Sequence, residues 1–128
     1  MLKFNVIQRR DPRDSSAIPK FYASLKKVQT IDLDYIANEL AEKSSISKGD
    51  VISIITNLTD LVPKELSNGR TVNLGKLGTF WLNISSKGYD NEQEVSPEAI
   101  KKVNVRFKPS RTIKTLLGQL KFDRLEFI

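Results

Sequence analysis

The sequence contains no cysteine and no histidine among its 128 residues. Without cysteine it forms no disulfide bond and offers no thiolate as a nucleophile or metal ligand. Without histidine it lacks the commonest general base and the commonest ligand of transition metals. The nearest approach to a carboxylate cluster, from Asp90 to Glu98, lies in a polar, turn-forming segment, which is a poor setting for acid–base catalysis. We therefore expect no enzymatic activity, no metal, no cofactor and no small-molecule substrate.

Long apolar segments are also missing. No run approaches the ~20 residues that a membrane-spanning helix needs, and the chain turns polar at Lys3, unlike a secretory signal. We expect a cytoplasmic protein without a membrane partner. The hydrophobic fraction of 39% is enough for one modest core, which suggests that part of the apolar surface is covered by a second chain.

Positive charge is in excess and unevenly distributed. The net charge is +6, and residues 1–30 carry seven Lys and Arg against two acids. Residues 31–68 carry three against seven, and residues 69–128 carry eleven against six. Residues 101–114 contain six cations and no acid, the densest basic stretch of the chain. This distribution favours a polyanionic partner such as nucleic acid.

The first half of the chain predicts two strands followed by two helices. Residues 2–9 and 21–28 have the pattern of short strands, and Pro12 with its Asp and Ser neighbours predicts a turn between them. Apolar residues recur at helical spacing over 33–41 and 51–66. Ser47 can cap the second helix and Gly69 can end it. We expect Pro63 to kink or shorten that helix, because proline removes one helical hydrogen bond.

The second half changes to a period of two. Strands are predicted at 71–74, 79–84 and 102–108, with a polar, acidic excursion over 85–100 before the last of them. A final helix is predicted from Arg111 to Leu120, directly after Pro109 and Ser110. The order of these elements predicts an α+β fold.

Three segments carry a family resemblance. VNLGKLGTF at 72–80 resembles the strand, turn and strand of the HU/IHF family of histone-like proteins. NG at 68–69 lies where that family turns from helix to strand, and FKPS at 107–110 precedes a segment similar to its last helix. The resemblance runs from residue 30 to about residue 121. The preceding residues are similar to the strand-rich leader of longer HU-like proteins.

The resemblance implies an IHF-like DNA-binding fold in an intertwined homodimer. That fold has two N-terminal helices, a three-stranded antiparallel sheet with a β-ribbon arm, and a C-terminal helix. We expect residues 1–29 to form an N-terminal β extension and residues 30–128 to form the HU/IHF-like domain. The implied function is non-sequence-specific binding of double-stranded DNA by a bacterial, nucleoid-associated architectural protein that condenses DNA through a basic saddle and β arms. The alternative is a dimeric HU-fold interaction module that has lost most DNA binding.

Candidate DNA-binding residues lie mainly on and around the last strand. A period of two places alternate side chains on one face, about 6.6 Å apart, where cations can meet successive phosphates. The ordinary alternative is a solvent-exposed polar face. The start of the last helix adds backbone N–H groups that favour a phosphate. The full candidate set is Lys76, Lys87, Lys101, Lys102, Asn104, Arg106, Lys108, Arg111 and Lys114.

The acidic excursion departs from the family pattern. The family's arm is typically basic and ends in Arg-Asn-Pro, whereas this segment has four acids against Lys87. Pro97 is the candidate wedge between base steps, and a turn at the base of the hairpin is the alternative. Trp81 is expected either to stack on a DNA sugar or to be covered by the N-terminal extension.

A second basic cluster lies in the N-terminal extension. Arg9, Arg10 and Arg13 surround the predicted turn at Pro12. They are candidate additional DNA contacts, and the alternative is a solvent-exposed loop.

Overall fold

The computed structural model describes residues 1–125 of the chain. In chain order the elements are β1 (Leu2–Arg9), β2 (Lys20–Leu25), α1 (Leu33–Glu42), α2 (Lys48–Ser67), β3 (Val72–Asn73), β4 (Gly78–Ser86), β5 (Ile100–Pro109), α3 (Arg111–Leu117) and β6 (Phe122–Arg124). Three helices and two three-stranded sheets confirm the predicted α+β class.

The chain forms two compact units. One comprises Ile31–Thr115, and the other comprises Met1–Thr30 with the chain from Leu116 onward. The grouping adds the C-terminal residues to the N-terminal strands. The division of the chain at residues 29 and 30 into an extension and a domain stays a prediction.

The N-terminal unit contains a sheet in the order β2-β1-β6. β1 pairs antiparallel with β2, from Phe4 opposite Leu25 to Arg9 opposite Lys20, and parallel with the short β6. β2 ends at Leu25, three residues before the predicted end of the strand. An ion pair between Lys3 and Asp123 links β1 to β6.

The helices of the larger unit begin and end at capping residues. The side chains of Asp32 and Ser47 accept hydrogen bonds from backbone N–H groups in the first turns of α1 and α2. α2 ends just before Gly69, whose N–H donates to the Leu66 carbonyl at 2.9 Å. Its φ of 80° is the left-handed conformation that lets the next N–H, of Arg70, donate to the Glu65 carbonyl at 3.1 Å. Pro63 does not shorten α2, since the helix continues to Ser67, and a kink at this proline stays a prediction. One missing hydrogen bond does not end a helix whose other turns remain bonded.

The second sheet has the strand order β3-β4-β5. At the start of β4, its backbone lies very close to the end of β5. Gly78 has a φ of 148° and lies opposite Pro109. A Cβ at this position would lie 2.3 Å from the carbonyl oxygen of Lys108 and 2.7 Å from the ring of Phe107. Only glycine fits without moving the facing strand. Beyond it, the rings of Phe80 and Phe107 pack across the strands with centroids 4.6 Å apart.

The isolated chain has little buried core. The buried hydrophobic residues of the described chain are Ala37, Val51, Leu66 and Ala99. The apolar face of the β4–β5 ladder, by contrast, leaves Val105 62% exposed and Phe107 46% exposed. A single chain therefore does not bury this face. The helices α1 and α2 also keep exposed apolar residues. One chain therefore leaves apolar surface for a partner to cover.

The acidic excursion differs from a β-ribbon arm. The pairing of β4 with β5 ends at Ser86 and Ile100. Between them lie two short 3-10 turns, Glu92–Glu94 and Pro97–Ala99. Proline lacks the N–H that a ladder needs, and closely spaced carboxylates repel one another across a ribbon, so this segment favours turns over pairing.

Candidate nucleic-acid interface

The candidate interface is built on the outward side of the β4–β5 ladder. Opposed residues in an antiparallel pair share a face, and successive residues alternate between faces. The register places Trp81 opposite Arg106 and Thr79 opposite Lys108. We call this surface the cationic face; its members are Thr79, Trp81, Asn83 and Ser85 on β4, and Lys102, Asn104, Arg106 and Lys108 on β5.

The other side of the same ladder is apolar. Phe80 lies opposite Phe107, Leu82 opposite Val105 and Ile84 opposite Val103. The two faces therefore separate the predicted cations from the predicted core residues. A ladder of this length holds its side chains in fixed positions, so the cations are presented without first ordering a flexible segment.

The cations of this face form no ion pairs with acids of the described chain. No acid is among the eight residues of the cationic face. In the described part of the chain the ion pairs join Lys3 to Asp123, Lys48 to Asp34 and Arg70 to Glu65, and none involves β5. Lys102, Arg106 and Lys108 are exposed. Their charge is available to an external anion.

Lys101 lies apart from this alternation. Ser85 pairs with Lys102 and Ser86 pairs with Ile100, so Lys101 is the extra residue of a β-bulge. A bulge interrupts the alternation of sides and bends the strand. Lys101 is exposed. The alternation along β5 assigns Lys102 to the cationic face, but it does not assign Lys101 to that face.

Ser110 brings the candidates Lys76 and Arg111 close together in the chain fold. Its hydroxyl donates to the backbone carbonyl of Lys76, and its N–H donates to the carbonyl of Leu77 at 3.1 Å. The same hydroxyl accepts from the N–H of Ile113 at 3.3 Å, which caps α3. One side chain thus ties the β3–β4 turn, which carries Lys76, to the start of the helix that carries Arg111.

α3 is shorter than the sequence predicts. It spans Arg111–Leu117 rather than reaching residue 120. Two turns give only a small helix dipole, so any phosphate contact here depends chiefly on the side chains of Arg111 and Lys114. Both are exposed.

The acidic segment carries the remaining candidates of this unit. The ammonium of Lys87 lies 6.0 Å from the ring centre of Tyr89, at the outer limit of a cation–π contact. Pro97 opens a 3-10 turn directly before β5. A hydrogen bond from the Ser96 side chain lowers the pKa of Glu98. The Glu98 carboxyl therefore remains ionised at neutral pH.

The N-terminal candidates lie at the β1–β2 connection. Arg9 ends β1 and faces Lys20, the first residue of β2. Arg9, Arg10 and Lys20 line an open cavity of about 560 Å³, whereas Arg13 is not among its lining residues. The sequence prediction missed Lys20, because only the register of the hairpin shows that it faces Arg9.

The described residues contain no cluster of carboxylates that could hold a metal ion. No helix among them is both long and apolar enough to cross a membrane.

Comparison with known protein families gives a match over residues 1–124, to the model described as an HU domain fused to wHTH, Ig, or a glycine-rich motif, HU-HIG. The chain belongs to the HU-HIG family. The match confirms the predicted HU-like relationship, and it includes the N-terminal residues, for which the sequence predicts similarity to longer HU-like proteins. No curated protein matches the sequence significantly.

Solved structures share the HU-HIG chain's fold at low sequence identity. A putative DNA-binding protein from Bacteroides vulgatus matches 97% of this chain with a TM-score of 0.66 and 17% identity. This chain spans about half of that protein, 48% of its length. The HU protein of Anabaena, solved as a cocrystal with DNA, matches 70% of this chain over 100% of its own length, with a TM-score of 0.55 and 15% identity.

Proposed function

We propose that this chain forms a homodimer that binds double-stranded DNA without sequence specificity, as an architectural protein of the bacterial nucleoid. The observation that carries the proposal is the cationic face. Three exposed cations lie on one side of β5; that face carries no acid, and none of the three forms an ion pair within the described chain. Phosphate contacts of this kind bind any duplex and carry no sequence information.

The composition of the face supports backbone contacts over base readout. Lys102, Arg106 and Lys108 supply charge, while Asn104 and the facing Thr and Ser residues supply neutral hydrogen-bonding groups. Cations two residues apart lie about 6.6 Å from each other along a strand, close to the spacing of successive phosphates. The proposed site also includes Lys76, Lys87, Lys101, Arg111 and Lys114, which are exposed around the ladder.

The homodimer is supported by the apolar surface that one chain leaves uncovered. The apolar face of β5 is more than 40% exposed at Val103, Val105 and Phe107. An open groove of about 250 Å³ between α1 and α2 is lined mainly by apolar side chains, among them Leu40 and Ile54. A second copy presents the same apolar surfaces, and mutual burial removes both from water.

The relatives point in the same direction. The Anabaena protein is an HU solved with DNA, and the Bacteroides protein is described as DNA-binding. The acidic segment argues for one difference. Ionised carboxylates are repelled by a minor groove, so we propose that the cationic face dominates binding and that Pro97 serves as a turn residue rather than a wedge.

The test is a mobility-shift titration of the full chain on two unrelated duplexes of equal length, at 50 mM and 200 mM salt. We expect similar affinities for the two sequences and a loss of affinity of at least about 10³-fold at the higher salt, as expected for six or more phosphate contacts. Absence of a shift at 50 mM salt refutes DNA binding. A strong preference for one duplex refutes the non-specific mode.

A second candidate function is a dimeric interaction module that has lost DNA binding. The four exposed acids between Asp90 and Glu98 favour it, because they replace the basic arm of the family. This reading predicts a stable dimer by light scattering with no DNA affinity at low salt. The mobility shift therefore separates the two functions.

A further inference from the structure

The cavity at the β1–β2 connection presents cations that the fold itself leaves unpaired. We call it the hairpin pocket; it is lined by Arg9, Arg10, Asp11, Lys20 and Tyr22 together with three apolar residues. From these observations we propose that the hairpin pocket is a second site for phosphate groups of the DNA backbone, separate from the cationic face. This inference rests on the proposed DNA binding.

The strand register sets two like charges against each other. Arg9 lies directly opposite Lys20 at the open end of the hairpin. Like charges at opposed positions destabilise a strand pair. An anion bound between them removes that repulsion. Tyr22, two residues after Lys20, lies on the same face of the hairpin and is half exposed, so its hydroxyl is available to donate to an anion.

The carboxylates of the connection are committed to its own turns. Asp11 accepts from the N–H of Arg13 at 2.9 Å. Asp14 accepts from the N–H and the hydroxyl of Ser16, at 3.0 Å and 2.6 Å, and the hydroxyl bond lowers the pKa of Asp14. Neither carboxylate forms an ion pair with a lining cation in the described chain. With Asp11 included, the pocket keeps an excess of two positive charges.

The shape of the pocket favours a polymer backbone over a free small molecule. A small-ligand site encloses most of the ligand surface, whereas this cavity is open to solvent along the loop. Two arginines side by side provide planar guanidinium groups that bind phosphate oxygens in pairs. An open pocket lined by two arginines can bind one or two phosphates while the rest of the duplex continues past it.

The test compares two triple variants of the full chain. The pocket variant is Arg9→Gln, Arg10→Gln and Lys20→Gln. The control variant, Lys26→Gln, Lys27→Gln and Lys121→Gln, removes three exposed charges from the same unit outside the pocket. Each is titrated with a labelled random duplex between 50 and 200 mM salt, after circular dichroism has shown unchanged secondary structure. Removal of the Arg9–Lys20 repulsion makes loss of folding in the pocket variant unexpected.

We expect the slope of log K against log salt to fall by about 0.9 for each phosphate contact removed, so by two or more units in a dimer of the pocket variant. The control variant changes it by less than one. Equal slopes for the two variants overturn the inference. If Lys102→Gln with Arg106→Gln still weakens binding in that case, the proposed function survives without the pocket.

Titrations with inorganic pyrophosphate and with anionic vesicles test whether the hairpin pocket binds anions other than duplex DNA. The side-chain NMR signals of Arg9 and Arg10 are followed during each titration, with the pocket variant as the blank. Saturable shifts with pyrophosphate, together with no duplex binding by the unmodified chain, overturn both the inference and the proposed function. Vesicle binding that is lost in the pocket variant, with duplex binding unaffected, overturns the inference alone.

Discussion

Removing two charges from the cationic face is the most direct perturbation of the proposed function. Lys102→Gln with Arg106→Gln keeps a polar, unbranched side chain at both positions, though a shorter one, and leaves the apolar face of β5 untouched. Both residues are exposed and neither forms an ion pair in the described chain. We therefore expect the fold to be unaffected and the effect to fall on binding alone.

The structure sets the size of the effect. Each protomer offers three cations on the cationic face, so a homodimer offers six, and the double variant leaves two. The variant removes four contacts from the dimer, so at about 0.9 per contact the slope of log K against log salt becomes less steep by about 3.6. Between 50 and 200 mM salt, the loss of affinity is then about 10²-fold smaller for the variant than for the unmodified chain.

The assay is fluorescence anisotropy of a labelled random duplex over a series of salt concentrations. The emission of Trp81 is a second readout, because it is the single tryptophan of the chain and lies opposite Arg106 on the cationic face. The matched control is Lys43→Gln with Lys64→Gln, two exposed charges, one directly after the end of α1 and one in α2. Equal salt slopes for the double variant and this control would refute the assignment of DNA binding to β5.

Three further predictions concern the fold and the dimer. Gly78→Ala places a Cβ against the facing strand, and we expect a loss of about 3 kcal/mol in urea unfolding; an unchanged midpoint contradicts the close approach. Val105→Asp puts a charge on the apolar face and is expected to give monomers or aggregates by light scattering, whereas Asn104→Asp, on the opposite side of the same strand, keeps the dimer; a dimeric Val105→Asp protein excludes this face from the interface. The Lys3 hydrogen bond lowers the folded-state pKa of Asp123, so its stabilisation is present above the unfolded value near 3.8 and is lost as the pH falls through the folded pKa. Lys3→Gln should therefore flatten the acid-side decline in the urea midpoint below pH 4, and parallel declines would contradict this linkage.

The separation of the β4–β5 ladder into two faces was predictable from the sequence. Side chains alternate strictly along a strand, so the spacing of Lys102, Arg106 and Lys108 places them together once a strand is recognised. The helix ends were also readable, because Ser47 and Gly69 are residue types that cap helices for local reasons. In each case the controlling interaction lies within a few residues of the chain.

Features that depend on pairing between distant segments were not predictable. The bulge at Lys101 arises from the register of β4 against β5, and Lys101 itself is no different in type from Lys102. The opposition of Arg9 and Lys20 likewise requires the hairpin register. The exposure of Val105 was not predictable for a different reason. An apolar strand face predicts burial, but it does not indicate whether the same chain or a second chain covers that face.

The two ends of the β4–β5 ladder restrict where this chain can change in length. Gly78 admits no side chain at one end, and the bulge takes up one extra residue at the other. Between them, the insertion or deletion of a single residue would move the lysines and arginines that follow it in the strand to the apolar face and the valines to the cationic face. The reason is that neighbouring side chains alternate between the two faces. Insertions and deletions among homologues should therefore accumulate between Lys87 and Glu98, where no ladder pairing is disturbed, and be rare between Thr79 and Ser85.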